Sequence, residues 1–431
     1  MNQQDRTAYC AANYKQVCKI ALKAGEIMAS HGAEAYRIED TVCRLLRTTG
    51  FSYAEAHVSV TGLFITLSDP FLDREVTLVK RISNRVSDLS QISRANEISR
   101  RFVDGKLTIE EALHELESME GHQYYSPLII LISFMVISFL FTFMFGGYPM
   151  DALAAACVGL LVGIANHLLG RLVPLGFVRD FLSSVVLGIF CIFFVFVVPI
   201  GEHLQPIISG SIMPLVPGML LTVSIRDLLH GDYMSGVSRM IEAVICAVSI
   251  AAGVSIVARL FERSHGALIL ETPETWFTWG QSWPITPEMF FQALCSFIST
   301  ITFVILFNVE PKHLVSCGIV GGATWFVYYF VIKYYSGISL PNFFAALTAS
   351  IISLYMAKKL KAPVTVFFTG GIFCMVPGAG IYQTMYYFLG RDLVNGANKL
   401  LNTIEISALI AIAIAVHTAF ITVIARKKKK V

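Results

Sequence analysis

Hydrophobic residues follow a different spacing before and after about residue 125. Apolar side chains recur every three or four positions over 13–29 and 34–49, which predicts two amphipathic helices. Polar and apolar residues then alternate in three short stretches between 54 and 82, and this alternation predicts three strands. The first part of the chain is therefore predicted to combine helices with a small sheet.

Two more helices are predicted before the spacing changes. One ends at Gly105, and Thr108 begins the next, where Thr108 and Glu111 have the spacing of a capping box. Reciprocal hydrogen bonds between these two residues would satisfy backbone N–H groups at the start of the helix. Residues 1–125 are long enough to fold as a separate α+β domain.

Long apolar runs dominate the chain beyond Tyr125. A membrane-crossing helix needs about 20 predominantly apolar residues, and ten runs approach this length. We expect spans at approximately 126–145, 150–170, 178–199, 207–225, 236–260, 287–307, 312–332, 340–357, 364–389 and 400–425. Residues 261–286 form the one long polar connection, which separates a first group of five spans at 126–260 from a second group at 287–431.

The composition supports a membrane protein. The chain is 55% hydrophobic and 15% charged, whereas soluble proteins carry about 25% charged residues. This balance excludes a large cytosolic enzyme, and the slightly acidic N-terminal part argues against a nucleic-acid partner. The nine cysteines lack the spacing of a metal site, so free thiols and no metal are expected. Residues 1–30 contain no continuous apolar segment, so no cleavable signal peptide is expected.

Lys and Arg are concentrated on one side of the predicted spans. They are more frequent in the loops on the side of the N-terminal domain, and the tail Arg426–Lys430 adds to the same side. Because basic loops remain in the cytoplasm, both termini are predicted to be cytoplasmic in a multi-pass protein of the plasma (bacterial inner) membrane. The basic tail is expected to bind anionic lipid of the inner leaflet.

Three segments of the chain occur twice, about 160 positions apart. The matching pairs are 209–218 with 369–378, 231–239 with 391–399, and 145–159 with 307–321. Each half has five predicted spans, an odd number, so the second copy would cross the membrane with opposite polarity. The predicted fold is an α-helical polytopic membrane protein, with ten transmembrane helices as two inverted five-helix repeats and an N-terminal cytoplasmic α+β domain. This architecture is frequent among secondary transporters.

The sequence Val-Pro-Gly occurs in both the fourth and the ninth predicted span. Proline removes a backbone donor and glycine permits non-helical dihedral angles, so both spans are predicted to be interrupted. A helix that begins after such a break offers N–H groups and the positive end of its dipole to a carboxylate. A plain kink is the alternative interpretation. The candidate substrate-binding residues are Pro217, Gly218, Thr222, Pro377, Gly378, Tyr382 and Gln383. For Thr222, Tyr382 and Gln383 the alternative is hydrogen bonding between helices.

Three segments carry a family resemblance, namely 216–218, 368–378 and the upstream HGAEAYRIED at 31–40. Through these motifs the chain resembles the threonine/serine exporter family over nearly its whole length. The resemblance implies a cytoplasmic N-terminal domain, ten spans and the export of threonine and serine. The chain is also similar to a two-component dicarboxylate (succinate) exporter, with 1–265 like the larger component and 285–431 like the smaller.

Charged residues near the motifs are candidates for gating. The resemblance makes four residues of the upstream motif candidates for a gating, docking or ligand-sensing surface, namely Glu34, Arg37, Glu39 and Asp40. The alternative is an Arg37-centred network of salt bridges on a solvated helix face. The repeat suggests a second set of gating residues, Asp232, Arg239, Asp392 and Lys399. For the two aspartates of this set the alternative is capping of the helices that follow.

Ionisable residues within the predicted spans are candidates for proton coupling. Glu242, Glu405 and His417 lie inside apolar segments, where a charged group is costly and usually serves a function. Imidazole titrates near neutral pH and is suited to a proton relay. For the glutamates the alternative is an interfacial position, and for the histidine a buried structural role.

These observations predict a secondary transporter that exports threonine and serine, driven by the proton-motive force. The alternatives that remain open are a C4-dicarboxylate exporter, a membrane-tethered sensor that uses the N-terminal domain, and a passive channel. No nucleophile–base pair is recognisable, so no enzyme, catalytic residue or cofactor is expected. The expected partners are a small-molecule substrate, protons and the lipid bilayer, and a homo-oligomer is compatible with the sequence.

Overall fold

The computed structural model describes residues 3–69, 74–83, 85–119, 121, 123–266, 286–335, 337, 339–376 and 378–429. Most of the predicted connection at 261–286, the candidate residue Pro377 and the end of the basic tail lie outside the described residues. The described residues form two compact units. The first comprises Met1–Tyr124 with Met219–Ile241 and Phe307–Val309, and the second comprises Tyr125–Gly218, Glu242–Leu306 and Glu310–Val431.

The N-terminal part of the first unit contains five helices and three strands. In chain order these are α1 Gln3–Ala12, α2 Tyr14–Ser30, α3 Ala35–Leu46, β1 Tyr53–Ser59, β2 Gly62–Asp69, β3 Arg74–Arg81, α4 Leu89–Val103 and α5 Ile109–Glu117. The predicted helices and the three predicted strands are present. The predicted capping box is also present, since Thr108 accepts from the Glu111 N–H and Glu111 accepts from the Thr108 N–H.

The sheet is antiparallel with the strand order β1-β2-β3, and one of its faces is buried. Leu63, Ile65 and Leu67 of β2 are buried, whereas Phe64 between them is 43% exposed. This period of two places the buried side chains on a single face, against which α2 packs. The approach is close, because a Cβ atom added to Gly25 of α2 would lie 2.5 Å from Leu63.

The rest of the chain is helical, and the protein is a mostly helical, polytopic membrane protein. Its helices are α6 Pro127–Met144, α7 Pro149–Leu172, α8 Gly176–Ile192, α9 Leu204–Ile212, α10 Gly218–His230, α11 Tyr233–His265, α12 Pro287–Leu306, α13 Leu314–Tyr334, α14 Ser339–Leu360, α15 Val364–Phe373, α16 Gly378–Leu389 and α17 Leu393–Lys429. A π-helical turn, Phe193–Val197, extends α8. Within the described residues, eight helices are long and apolar enough to cross a membrane, and α9 with α10 make a ninth if the bent pair is one span.

The same helix pairings occur twice in the second unit. Helix α7 packs against α6 and α8, and the short helix α9 packs against all three. In the same way α13 packs against α12 and α14, and the short helix α15 packs against these three. Close approaches also recur: a Cβ atom at Gly159 would clash with Ser138 of α6, and one at Gly321 would clash with Thr300 of α12. Both members of this second pair lie 162 positions after those of the first.

Candidate functional site

The first helix break lies between α9 and α10. Helix α9 continues into a 3₁₀ turn, Met213–Leu215, after which Val216 is extended, with φ −61° and ψ 131°. Pro217 accounts for this conformation, because its ring excludes the preceding residue from the helical region. Helix α10 begins at Gly218, and its axis is bent by 63° from that of the preceding helical segment. The predicted helix break at Val216-Pro217-Gly218 is therefore present.

The second break, between α15 and α16, has the same backbone geometry. The Val216 N–H donates to the Met213 carbonyl at 3.2 Å, and the Val376 N–H donates to the Phe373 carbonyl at 3.2 Å. After each proline position the glycine N–H donates to the valine carbonyl two residues earlier, at 2.8 Å in both breaks. The two turns are therefore superimposable in their hydrogen bonding, at an offset of 160 positions.

The two breaks contact each other reciprocally. A Cβ atom at Gly218 would lie 2.8 Å from the ring of Phe373, and one at Gly378 would lie 2.7 Å from Val216 and 3.4 Å from the Met213 sulfur. Each glycine thus packs against the other break, at the residues two and five positions before the other glycine. Neither position has room for a side chain, so the two breaks require glycine for their close approach.

A small apolar cavity lies beside this contact. It is lined by Ile212, Val216, Pro217, Ala247, Ile250, Ala251, Gly378, Ile381 and Tyr382. Its volume is about 10 Å³, room for about one water molecule. Three predicted substrate-binding residues, Pro217, Gly378 and Tyr382, belong to this lining, and Gly218 forms the contact itself. Thr222 and Gln383 are not part of the described lining, and Pro377 lies outside the described residues.

Tyr382 is the polar side chain of the cavity wall. It is 1% exposed, and its hydroxyl has no hydrogen-bond partner among the residues that the structure describes. Burial of a hydroxyl without a partner costs about 1–3 kcal/mol. An unsatisfied group of this kind in a native structure therefore requires an explanation.

A buried charge cluster lies within the first unit. The Arg226 guanidinium donates to Glu34 at 2.6 Å, and Arg37 lies 3.5 Å from the same carboxylate. Asp227 accepts from the Ala35 N–H at 2.9 Å and so caps the first turn of α3. Glu34 is fully buried, so the alternative of a solvated helix face is wrong for this residue.

The ionisation of Glu34 reflects opposing effects. Burial favours the neutral acid, but the charges of Arg37 and Arg226 and the hydrogen bonds to the carboxylate outweigh it and lower the pKa of Glu34 to about 2. The carboxylate is therefore ionised at neutral pH inside a dry environment. A buried charge of this kind depends on its cationic partners.

The other charged residues of the upstream motif differ in environment. Glu39 accepts from the Val58 N–H at 2.9 Å and lies 3.3 Å from His57, and burial raises its pKa. Asp40 forms an exposed ion pair with Arg44 at 3.0 Å. The solvated-face alternative therefore describes Asp40, and the motif contains both buried and exposed charges.

The second set of gating candidates divides in a similar way. Arg239 lies 3.6 Å from Asp227, a partner that we did not predict. Asp392 accepts from the Asn395 N–H at 3.1 Å and from the Asn395 side chain at 2.8 Å, and these bonds lower its pKa. The capping alternative is thus confirmed for Asp392.

The proton-coupling candidates do not line the described cavity. Glu242 is half-buried on α11, and Glu405 is exposed on α17, where it accepts from the Ser339 hydroxyl. His417 is half-buried, and its Nδ1 lies 2.5 Å from the Ser350 hydroxyl.

A second cluster, which we did not predict, joins α11 to α16 within the second unit. Arg259 donates to Glu262 at 2.8 Å and to the Tyr386 carbonyl at 2.8 Å, and the Tyr386 hydroxyl donates to Glu262 at 2.5 Å. Tyr386 lies 160 positions after Arg226, so the ends of α10 and α16 are held at equivalent positions. The sequence signal that could have indicated this cluster is the 160-residue offset of the repeat, because it aligns the charged Arg226 with the polar Tyr386.

Comparisons with known proteins identify relatives across most of the chain. Residues 19–261 match the ThrE family model, whose description names a threonine/serine exporter, and residues 292–420 match ThrE_2, described as "Threonine/Serine exporter, ThrE". The chain is 20% identical over 399 residues to a Mycobacterium tuberculosis protein named "Probable threonine/serine exporter", an alignment that covers 89% of this chain and 72% of that protein.

Two further relatives are similar to this chain. A Corynebacterium glutamicum protein named "Threonine/serine exporter" is 22% identical over 400 residues, 89% of this chain and 78% of that protein. An uncharacterised protein of Schizosaccharomyces pombe is 22% identical over 263 residues, 58% of this chain and 31% of that protein. No solved structure matches the chain.

Proposed function

The chain belongs to the threonine/serine exporter family, and from this premise we propose that it is a secondary transporter that exports threonine and serine across the plasma membrane. The relatives from Mycobacterium tuberculosis and Corynebacterium glutamicum carry this activity in their names. The observation that carries the proposal is the reciprocal contact of the two helix breaks, Gly218 against Phe373 and Gly378 against Val216.

The breaks suit a zwitterionic substrate. Helices α10 and α16 begin at the two glycines, so the N–H groups and positive dipole ends of both helices lie next to the contact. A substrate carboxylate placed there is stabilised without a basic side chain. The described cavity lining contains no carboxylate, ammonium, guanidinium or imidazole group, which favours a small neutral amino acid over a dicarboxylate.

We further propose ten spans arranged as two inverted five-helix repeats, in which α9 with α10 and α15 with α16 form the fourth and ninth spans. The recurrent helix pairings, the equal hydrogen bonds of the breaks and the close approaches at Gly159 and Gly321 support an internal duplication. The loop charges support cytoplasmic termini and a cytoplasmic N-terminal domain. Alternating access would then be a rearrangement of one repeat against the other around the breaks.

Export against a gradient requires a coupling ion, and we propose the proton. Glu242, Glu405 and His417 lie on helices of the membrane region. A change in the protonation of such a residue changes its charge, and so the free energy of exposing it to the inner or the outer side of the membrane. Glu242 is half-buried and Glu405 is exposed, so Glu242 is the first residue to replace. We propose a gating role for the charge cluster of Glu34 and Arg226.

Counterflow in proteoliposomes tests the transport activity. Vesicles that contain the purified protein are loaded with unlabelled serine, threonine or succinate, and uptake of the matching labelled compound is followed with and without a pH gradient. We expect exchange of serine and threonine and stimulation by the gradient. Exchange of succinate alone would favour the dicarboxylate alternative, and no exchange by folded protein would contradict the transport function.

Proton coupling is tested separately with Glu242→Gln. The variant is expected to retain counterflow, which needs no net proton movement, and to lose stimulation by the pH gradient. Glu117→Gln is the matched control, because Glu117 is an exposed residue of α5 in the N-terminal part of the first unit. Unchanged stimulation in Glu242→Gln would remove this residue from the coupling mechanism.

A further inference from the structure

The chemistry of the cavity wall distinguishes one residue from its neighbours. The lining residues other than Tyr382 are aliphatic or are the proline and glycine of the breaks. Tyr382 is the one residue of this described lining with a polar side chain, and its hydroxyl is buried without a partner in the part of the chain that the structure describes. A ligand in the cavity would therefore meet apolar surface, helix N-termini and the side chain of Tyr382.

We propose that Tyr382 determines the specificity of the transport site, with its phenolic hydroxyl hydrogen-bonded to the side-chain hydroxyl of a small hydroxy amino acid bound between the breaks. This inference rests on the proposed function. A phenol both donates and accepts a hydrogen bond, as an aliphatic hydroxyl does, so the two groups are complementary. The ligand would satisfy the group that the protein leaves unpaired.

The position of Tyr382 fits this role. It lies one helical turn after Gly378, the first residue of α16, and both residues line the cavity. One helix, α16, would thus bind the substrate carboxylate at its first turn and the substrate hydroxyl at Tyr382. Ala247, Ile250 and Ala251 of α11 line the cavity as well, and these aliphatic groups suit a short side chain.

The cavity must widen before it admits an amino acid, since its volume of about 10 Å³ holds about one water molecule. Widening at the contact of the two breaks separates Gly218 from Phe373 and Gly378 from Val216. Tyr382 lies on α16, the helix that begins at this contact, and it lines the cavity beside the contact.

A site that hydrogen-bonds a substrate hydroxyl rejects the analogue that lacks it, because the buried partner is left unpaired. Alanine is serine without its hydroxyl, so the ratio of serine to alanine exchange measures this selection directly. In the wild-type protein, serine is expected to compete much more strongly than alanine. Equal competition by the two amino acids would overturn the inference without any variant.

Tyr382→Phe removes the hydroxyl and keeps the ring. The ratio of serine to alanine exchange in this variant is expected to fall roughly tenfold, the value of one hydrogen bond. Tyr387→Phe is the control, because Tyr387 lies on the same helix but does not line the cavity. Alanine exchange also reports that each variant is folded.

The outcomes separate this inference from the proposed function. Serine exchange by the wild type together with an unchanged ratio in Tyr382→Phe would overturn the role of Tyr382 and leave the exporter intact. An equal fall of the ratio in Tyr387→Phe would also overturn it. Absence of serine and threonine exchange by folded wild-type protein would overturn the exporter and this inference together.

Discussion

Glu34 and Arg226 form a buried ion pair of 2.6 Å although they lie 192 positions apart in the chain. Glu34 precedes the first turn of α3, and Arg226 lies in the second half of α10. Asp227 strengthens the connection, since it accepts from the backbone N–H of Ala35. The upstream motif is thus held to the second half of α10 by two neighbouring residues of that helix.

Removal of one partner of this pair is expected to destabilise the protein. Glu34→Gln leaves the Arg226 charge without its main counter-ion, and loss of one member of a buried pair costs about 3–5 kcal/mol. Thermal unfolding of the purified full-length protein measures the effect. In a double-mutant cycle, Glu34→Gln/Arg226→Gln is expected to be less destabilised than the sum of the two single variants.

Asp40→Asn provides the control for this prediction. Asp40 pairs with Arg44 on the exposed side of the same helix, and an exposed pair contributes about 0–1 kcal/mol. The control is therefore expected to unfold close to the wild-type temperature. Equal destabilisation by Asp40→Asn and Glu34→Gln would contradict a special role of the buried pair.

The stability contributed by Glu34 is expected to depend on pH. The pKa of its carboxyl group is about 2 in the folded protein, below the ordinary value of 4.5. The unfolded state therefore binds the proton more tightly, and the contribution is complete above about pH 4.5 and is lost as the pH falls towards about 2. The difference in unfolding temperature between wild type and Glu34→Gln is expected to shrink between about pH 6 and about pH 3. A difference that grows as the pH falls over this range would contradict the prediction, because it would show that Glu34 stabilises the protein more at low pH.

The sequence was sufficient to predict the elements whose signals are local. The capping box of Thr108 and Glu111, the three alternating strands and the break at Val216-Pro217-Gly218 depend on residues within a few positions of one another. The pairing of Glu34 with Arg226 could not be predicted in this way, because it depends on the packing of distant segments. The unpaired hydroxyl of Tyr382 is likewise a property of its surroundings in the folded chain.

The close contact of the breaks predicts that alanine is poorly tolerated at Gly378. A methyl group there would lie 2.7 Å from the Val216 side chain, and overpacking of this kind costs about 1–3 kcal/mol. Gly378→Ala is expected to lower both the unfolding temperature and the rate of serine counterflow. Val216→Ala removes the opposing methyl groups. The double variant Gly378→Ala/Val216→Ala is therefore expected to recover part of the lost unfolding temperature and part of the lost counterflow rate.

Gly176→Ala is the matched control for this substitution. Gly176 begins α8, and a Cβ atom added there would meet no atom within 4 Å. The control is expected to transport at the wild-type rate. Loss of transport in Gly378→Ala without recovery in the double variant would indicate that the conformation of the glycine, and not its contact with Val216, is required.

The clusters at the ends of α10 and α16 predict opposite effects on access to the cavity. Arg226 holds the end of α10 through Glu34, and Arg259 holds the end of α16 through Tyr386, at equivalent positions of the two halves. If the halves are inverted, these ends lie on opposite sides of the membrane. Arg226→Gln is then expected to open the cytoplasmic side, and Arg259→Gln the outer side.

Cysteine labelling measures this difference in access. Ile381→Cys, in a background that lacks the nine native cysteines, places one thiol in the cavity wall. A membrane-impermeant maleimide is applied to sealed vesicles from either side. Arg226→Gln is expected to accelerate labelling from the cytoplasmic side several-fold, and Arg259→Gln from the outer side, because each releases the end of a helix that follows one of the breaks. Acceleration from the same side in both variants would contradict the inverted arrangement, since equivalent positions of inverted halves cannot open to one face.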